Sequence, residues 1–246
     1  METRFADCRY DLGDPPAARA RYLEGHIPGA AFLDLDTELS DLSIPAEVGG
    51  RHPLPSAEQF AAAAGRAGIG PDTLVVAYDE GMTGGAARLW WLLRHFGHEQ
   101  AAVLDGGLGV WLGPLAQGEE AIEPAVFTPR ERTDDVITTE EILERLGDPS
   151  LVLVDARPED RFRGEALGLD PVAGHIPGAV SVPLSNGARM PAEVPEAEEI
   201  ACYCGSGVAA SATVLALHRA GRTDAKLYPG SWSEWSRKGL PAETAT

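Results

Sequence analysis

The chain has 246 residues, enough for two domains of ordinary size, each burying its own core. Its 44% apolar and 24% charged content is that of a globular protein, and no stretch approaches the ~20 consecutive apolar residues that a membrane helix needs, so membrane spanning is excluded. Twenty Lys and Arg against 38 Asp and Glu leave a net charge of −18 without any basic cluster, which excludes nucleic acid as a partner.

Met1-Glu2-Thr3-Arg4-Phe5 has neither the basic start nor the apolar run of an export signal, so a cytoplasmic location is expected. Cys8, Cys202 and Cys204 are odd in number and are expected to be reduced thiols rather than a disulfide framework.

In chain order, a first strand segment carries Cys8, and His26-Ile27-Pro28-Gly29-Ala30 precedes the strand-like Ala31-Phe32-Leu33. Ser56 and Gln59 have the spacing of a capping box and predict a helix running to about Arg66. Leu74 to Tyr78 reads as a strand, Asp79 to Gly85 as a Gly-rich loop, and Ala86 to Phe96 as an amphipathic helix. Val103-Leu104-Asp105-Gly106-Gly107 before Trp111 is a further short strand and turn. Residues 113–135, with Pro114, Gly118, Pro124 and Pro129, read as a linker, and the domain boundary is expected near residue 125, giving domains 1–125 and 126–246.

The second half repeats the order. Thr138 and Glu141 form another capping-box pair, Leu151 to Asp155 a strand, and His175-Ile176-Pro177-Gly178-Ala179 returns the first motif unchanged before Val180-Ser181-Val182. Glu199 to Tyr203 is a strand, Cys204-Gly205-Ser206-Gly207 a loop, and Val208 to about Arg219 a helix, followed by Leu227-Tyr228-Pro229-Gly230 with Trp232 and Trp235 as core packing. Strand, loop, helix, strand, given twice, is a duplicated α/β domain with a mainly parallel sheet flanked by helices. Ala30 and Asp79 lie further apart than Ala179 and Cys204, so a helix is expected to be missing from the second half, with a loop over 185–198 in its place.

Cys204 ends a strand and opens a glycine loop that turns into a helix. That geometry points backbone N–H groups and the positive end of the helix dipole at the sulfur, and both favour the anionic thiolate, a nucleophile. The glycines keep β-carbons out of a loop closed this tightly. Cys202 and Cys8 read as core residues, and Cys202-Tyr203-Cys204 lacks the spacing and partners of a zinc site. No metal or organic cofactor is expected. A cysteine phosphatase would need an arginine six positions after the cysteine, where this chain has Ala210.

The paired His-Ile-Pro-Gly-Ala motifs, the Cys204-Gly205-Ser206-Gly207-Val208 loop and Tyr228-Pro229-Gly230-Ser231-Trp232-Ser233-Glu234-Trp235 resemble the tandem rhodanese and 3-mercaptopyruvate sulfurtransferase family over nearly the whole chain. The resemblance implies two rhodanese-like domains, a silent first one with Asp79 in the nucleophile's place and a second in which Cys204 carries a persulfide sulfur. Gly205 and Ser206 stand where thiosulfate-preferring members carry cations, which implies 3-mercaptopyruvate as donor, with thiosulfate the alternative and a persulfide carrier without turnover a further one. Gly205, Gly207 and Val208 would form the substrate cradle, Arg161 the carboxylate contact and Arg163 a second candidate or a plain surface arginine. Members of the mercaptopyruvate branch often have another arginine a few residues later, where this chain has Ala166-Leu167-Gly168-Leu169-Asp170. Ser206 would give a hydroxyl proton or hydrogen bond, oriented by His26, with the acidic third member open and Asp14 at no matching spacing; His175 reads as holding its turn. The expected partners are a small-molecule sulfur donor and a thiol or cyanide acceptor, the thiol belonging to a small molecule or to a thioredoxin-like protein.

Overall fold

The computed structural model describes residues 2–81, 84–184 and 190–244. They form two compact units, one of residues 1–41 and 54–132, the other of residues 42–53 and 133–246.

The first unit runs β1 (Glu2–Asp7), α1 (Pro15–Glu24) and β2 (Ala31–Phe32). After the segment that joins the second unit, which holds the short α2 (Ala46–Gly49), it continues with α3 (Ala57–Arg66), β3 (Thr73–Tyr78), α4 (Gly85–His95) and β4 (Ala101–Val103). Its four strands are all parallel in the order β2-β1-β3-β4. The second unit runs α5 (Thr139–Glu144), β5 (Leu151–Asp155), α6 (Glu159–Arg163), β6 (Val180–Ser181), α7 (Met190–Glu193), β7 (Glu199–Tyr203), α8 (Val208–Arg219), β8 (Lys226–Leu227) and α9 (Ser231–Arg237). Its sheet, β6-β5-β7-β8, repeats the first. In this order the chain leaves the first strand to one side and returns on the other. The carboxyl ends of β5 and β7 therefore flank the crevice where open parallel sheets place their ligands.

Both capping boxes are formed, Ser56 with Gln59 and Thr138 with Glu141, each side chain bonding the other's backbone N–H. Both Ile-Pro-Gly-Ala segments are turns closed by Ala30 N–H to Ile27 O and Ala179 N–H to Ile176 O, at 3.0 Å each. Pro occupies the second position, and Gly29 and Gly178 take φ of 77° and 78° at the third, which a β-carbon would oppose. Ile27 N–H then donates to the Tyr78 hydroxyl and Ile176 N–H to that of Tyr203, tying each turn to the end of a central strand. A buried ion pair is duplicated as well. Arg9 forks onto Asp7 and reaches Gly25 O, and Arg157 forks onto Asp155 and reaches Gly174 O, so each guanidinium holds the loop ahead of its histidine. The core of the second unit gathers Ile142, Leu153, Tyr203, Tyr228, Trp232 and Trp235.

One helix is added to the expected elements, and two expectations are corrected. The helix α1 was not foreseen, because PPAARARYLE buries only Ala18 and Tyr22 and has little apolar periodicity. The stretch read as a linker is bonded to the first unit through Gly118 N–H to Leu23 O, Ala125 N–H to Gly65 O and Arg130 N–H to Phe96 O, and Phe127 packs edge-on against Phe60. The division accordingly falls after Arg132 rather than near residue 125. The expected loop over 185–198 holds the four-residue α7, and its residues 185–189 lie outside the described part of the chain.

Candidate active site

Cys204 follows directly on β7 and is 3% exposed. Its N–H donates to Ser231 Oγ at 3.2 Å, and its carbonyl accepts Trp232 N–H at 3.0 Å, clamping it between strand β7 and the start of α9. Ser231 has φ of 53°, the one left-handed non-glycine residue among those described, and its hydroxyl donates to Tyr228 O at 2.9 Å. Strain of this kind persists where surrounding bonds hold it, here those that fix the backbone of Cys204. Gly207 begins α8 with φ of 80°, and a β-carbon there would lie 2.5 Å from Pro229 O. Only glycine lets this loop lie so close to the Pro229 backbone.

Among the described residues, no protein acceptor takes the N–H groups of Gly205, Ser206, Gly207 or Val208. In the first unit an acidic residue stands at the corresponding strand end, and its side chain takes three backbone donors. The carboxylate of Asp79, which follows β3 as Cys204 follows β7, accepts the N–H groups of Gly81 at 2.8 Å and of Gly84 and Ala86 at 3.2 Å each. Four consecutive N–H groups after Cys204 are thus without a protein acceptor, whereas after Asp79 three are held by the protein's own carboxylate. The remaining cysteines are held as neutral thiols: burial pushes Cys8 and Cys202 well up, with nearby Asp7 adding to Cys8 and Cys204 to Cys202.

Ser206 is buried, and its Oγ lies 2.8 Å from His52 Nδ1, also buried. The histidine that meets this serine is therefore His52, in the segment of residues 42–53, and not His26. His26 is stacked on Tyr22 with ring centroids 4.0 Å apart, gives Nδ1–H to Tyr22 O at 2.7 Å and has Nε2 3.3 Å from Glu120. Because a carbonyl only accepts, Nδ1 carries a proton, and the ring is engaged with its own turn and Glu120. His175 does the same with Phe162, donating to its carbonyl at 2.7 Å with rings 3.7 Å apart.

Arg161 on α6 lays its guanidinium against Gly168 and, among the described residues, forms no ion pair. Arg163 pairs with Glu159 one helical turn away and is 47% exposed, as a surface arginine would be. A different cation lies by the cysteine loop instead: a β-carbon on Gly205 would be 2.7 Å from Arg51 Nη2. Arg51 and His52 come in together on one segment, because Arg51 N–H donates to Ser233 Oγ at 2.9 Å and Gly50 sits so tightly on Gly230 O that no side chain fits between. The only signal for them was the greater length of the first half between its turn motif and Asp79. That length was read as a helix missing from the second half, when part of it is a segment lent to the second unit.

The description "Rhodanese-like domain" fits this chain twice, over residues 2–113 and 138–238. The chain is 41% identical over 93% of its length to a probable 3-mercaptopyruvate sulfurtransferase of Pseudomonas aeruginosa, covering 87% of that protein. It is 40% identical over 94% of its length to the putative thiosulfate sulfurtransferase SseB of Mycobacterium tuberculosis, covering 86% of it. The crystal structure of SseA from Escherichia coli, a 3-mercaptopyruvate sulfotransferase, superimposes with a TM-score of 0.81 at 33% identity, over 94% of this chain and 92% of that one.

Proposed function

The chain belongs to the rhodanese family, and on that premise we propose that it is a sulfurtransferase that moves the sulfur of 3-mercaptopyruvate through a Cys204 persulfide to a thiol or cyanide. The observation that carries this reading is the loop after Cys204, whose four N–H groups have no protein acceptor among the described residues, while at the corresponding strand end of the first unit the Asp79 carboxylate accepts three N–H groups.

The reaction is a two-stage exchange. The Cys204 thiolate attacks the sulfur of 3-mercaptopyruvate; the S–S bond forms, the C–S bond breaks, and its electron pair leaves on pyruvate enolate, which takes a proton to become pyruvate. The persulfide's outer sulfur, anionic, rests among the N–H groups of Gly205, Ser206, Gly207 and Val208. An acceptor thiolate or cyanide then attacks that sulfur, giving a new persulfide or thiocyanate and restoring the Cys204 thiolate. The Ser206 hydroxyl donates a hydrogen bond or proton at the leaving enolate, and His52, 2.8 Å from it, orients it and can replace its proton. The thiol acceptor is a small thiol or one borne on a thioredoxin-like protein. All three cysteines are free thiols, which suits a reducing compartment such as the cytoplasm.

Pyruvate release from 3-mercaptopyruvate with a thiol acceptor, measured beside thiocyanate formation from thiosulfate and cyanide, tests the reading. Wild type should turn over 3-mercaptopyruvate more efficiently and Cys204→Ser neither donor; transfer retained in Cys204→Ser overturns it. Thiosulfate is the second reading, favoured by the name of the mycobacterial relative, and the reverse preference would establish it.

A further inference from the structure

At the amino-terminal end of the first sheet, the opposite end from Asp79, lies a groove of about 640 Å3, inside the range of about 300–1,000 Å3 usual for small-molecule sites. It is lined by the turn Phe96-Gly97-His98 between α4 and β4, by Gly70-Pro71 ahead of β3, and by residues of the segment 126–130. That segment is fixed at both ends, by Ala125 N–H to Gly65 O and Arg130 N–H to Phe96 O, at 2.9 Å each. Phe96 and Phe127 are buried and both meet Phe60, one stacked at 5.0 Å and the other edge-on at 5.5 Å, which holds the two rings in place.

The polar groups of the lining are few. His98 is 7% exposed, and its Nε2 lies 2.9 Å from Thr73 O. A carbonyl only accepts, so Nε2 carries a proton, and Nδ1 of the neutral ring is an acceptor that no donor among the described residues reaches. Glu99 is paired with Arg94, and Glu131 is turned to His95, 3.7 Å from its Nε2. Arg130 reaches only the carbonyl of Gly97, at 3.4 Å, and meets no carboxylate among the described residues. With Glu99 neutralised by its own arginine, the lining carries one uncompensated positive charge, in a chain of net charge −18.

We propose that this groove binds a small aromatic acid: a flat ring beside Phe96 and Phe127, a ring N–H donated to His98 Nδ1, and a carboxylate on the Arg130 guanidinium, whose planar fork matches it. An acidic indole carries all three groups. The site lies wholly within the first unit and uses no residue of the Cys204 loop, so it goes beyond the sulfurtransferase reading and does not depend on it.

Titration of the full chain with indole-3-acetate, followed by amide NMR shifts, tests it. A Kd below about 1 mM is expected, with shifts at Gly97, Gln100 and Thr128 and none at residues 205–208. Indole-3-ethanol, which lacks the charge, and N-methylindole-3-acetate, which lacks the N–H, should each bind about tenfold more weakly. Arg130→Gln should weaken indole-3-acetate about tenfold and leave indole-3-ethanol within about twofold, a split that loss of a merely structural contact would not give. His98→Phe should abolish the preference for the unmethylated ring; where that buried substitution prevents folding, the comparison of the two ligands on wild type decides the contact. Thr128→Trp, at an exposed position, should fill the groove and remove binding. Absence of binding at about 10 mM overturns the proposal, as do shifts confined to residues 205–208, equal affinity for the acid and the alcohol, or an Arg130→Gln chain that binds the acid as wild type does.

Discussion

Replacing Asp79 with Ala tests the idea that these loops require an anion. The carboxylate is 3% exposed and accepts three N–H groups, at 2.8, 3.2 and 3.2 Å. Hydrogen bonds to a charged group contribute about 1.5–3 kcal/mol each, and the two longer ones belong at the lower end, so the three together amount to about 5 kcal/mol. Gly81 is half-buried, so its N–H can turn to water, whereas Gly84 and Ala86 are buried and theirs cannot. The expected loss is therefore about 3–4 kcal/mol. Asp79→Asn keeps an oxygen acceptor but loses the charge and sets an NH2 against one donor, so about half that loss is expected. Urea unfolding followed by tryptophan fluorescence measures the change, since Trp90, Trp91 and Trp111 all lie in the first unit, and amide exchange at Gly84 and Ala86 localises it. A loss below about 1 kcal/mol with unchanged exchange would show that such a loop stands without an anion. The inference from the open cradle at Cys204 would then fail with it.

The Ser206 and His52 pair should act as a unit. Ser206→Ala and His52→Gln are each expected to lower kcat about a hundredfold with little change in KM, and the double variant should be no worse than either single one; additive losses in kcat would refute the pairing. At Ser231, glycine relieves the left-handed strain while removing the acceptor for Cys204 N–H, so Ser231→Gly should stay within about 1 kcal/mol of wild type in urea unfolding yet lose activity. Full activity would refute its positioning role. The Gly29 N–H, with His26, holds the Glu120 carboxyl below the usual carboxylate range. A group depressed on folding stabilises above its unfolded pKa, about 4.3, and that contribution fades as pH falls through the lower folded value. Glu120→Gln should therefore narrow its stability deficit against wild type below about pH 4, read by urea midpoints across pH; a deficit constant with pH would refute the assignment.

The duplication was legible because its signals are local. Pro and Gly at the centre of each turn, paired caps three residues apart, and a cysteine between an apolar strand and a Gly-x-Gly loop act over a few residues, and each formed as its chemistry requires. Cys204 and the glycine loop after it belong to this class, since strand end, loop and helix start are consecutive in the chain. The short Asp-x-Arg forks at Asp7 and Asp155 were equally local and were overlooked because each is a single pair without periodicity.

The rest of the site is non-local. Residues 206 and 52 are 154 positions apart, and Arg51 and Asp170 are 119 apart. No propensity or periodic pattern couples positions at such distances. They meet because residues 42–53 pack with the second unit, where Gly50 fits against Gly230 and Arg51 N–H against Ser233. His26 shows the same division from the other side: its motif was plain in the sequence, but the use of its ring was set by Tyr22 and Glu120, which the fold brings to it. The sequence by itself determined a duplicated parallel α/β fold and the place of Cys204 between a strand end and a glycine loop, because these arise from contiguous backbone. Tertiary structure alone decided which histidine meets Ser206 and which arginine stands beside Cys204, because those contacts depend on where a distant segment finds its complementary surface.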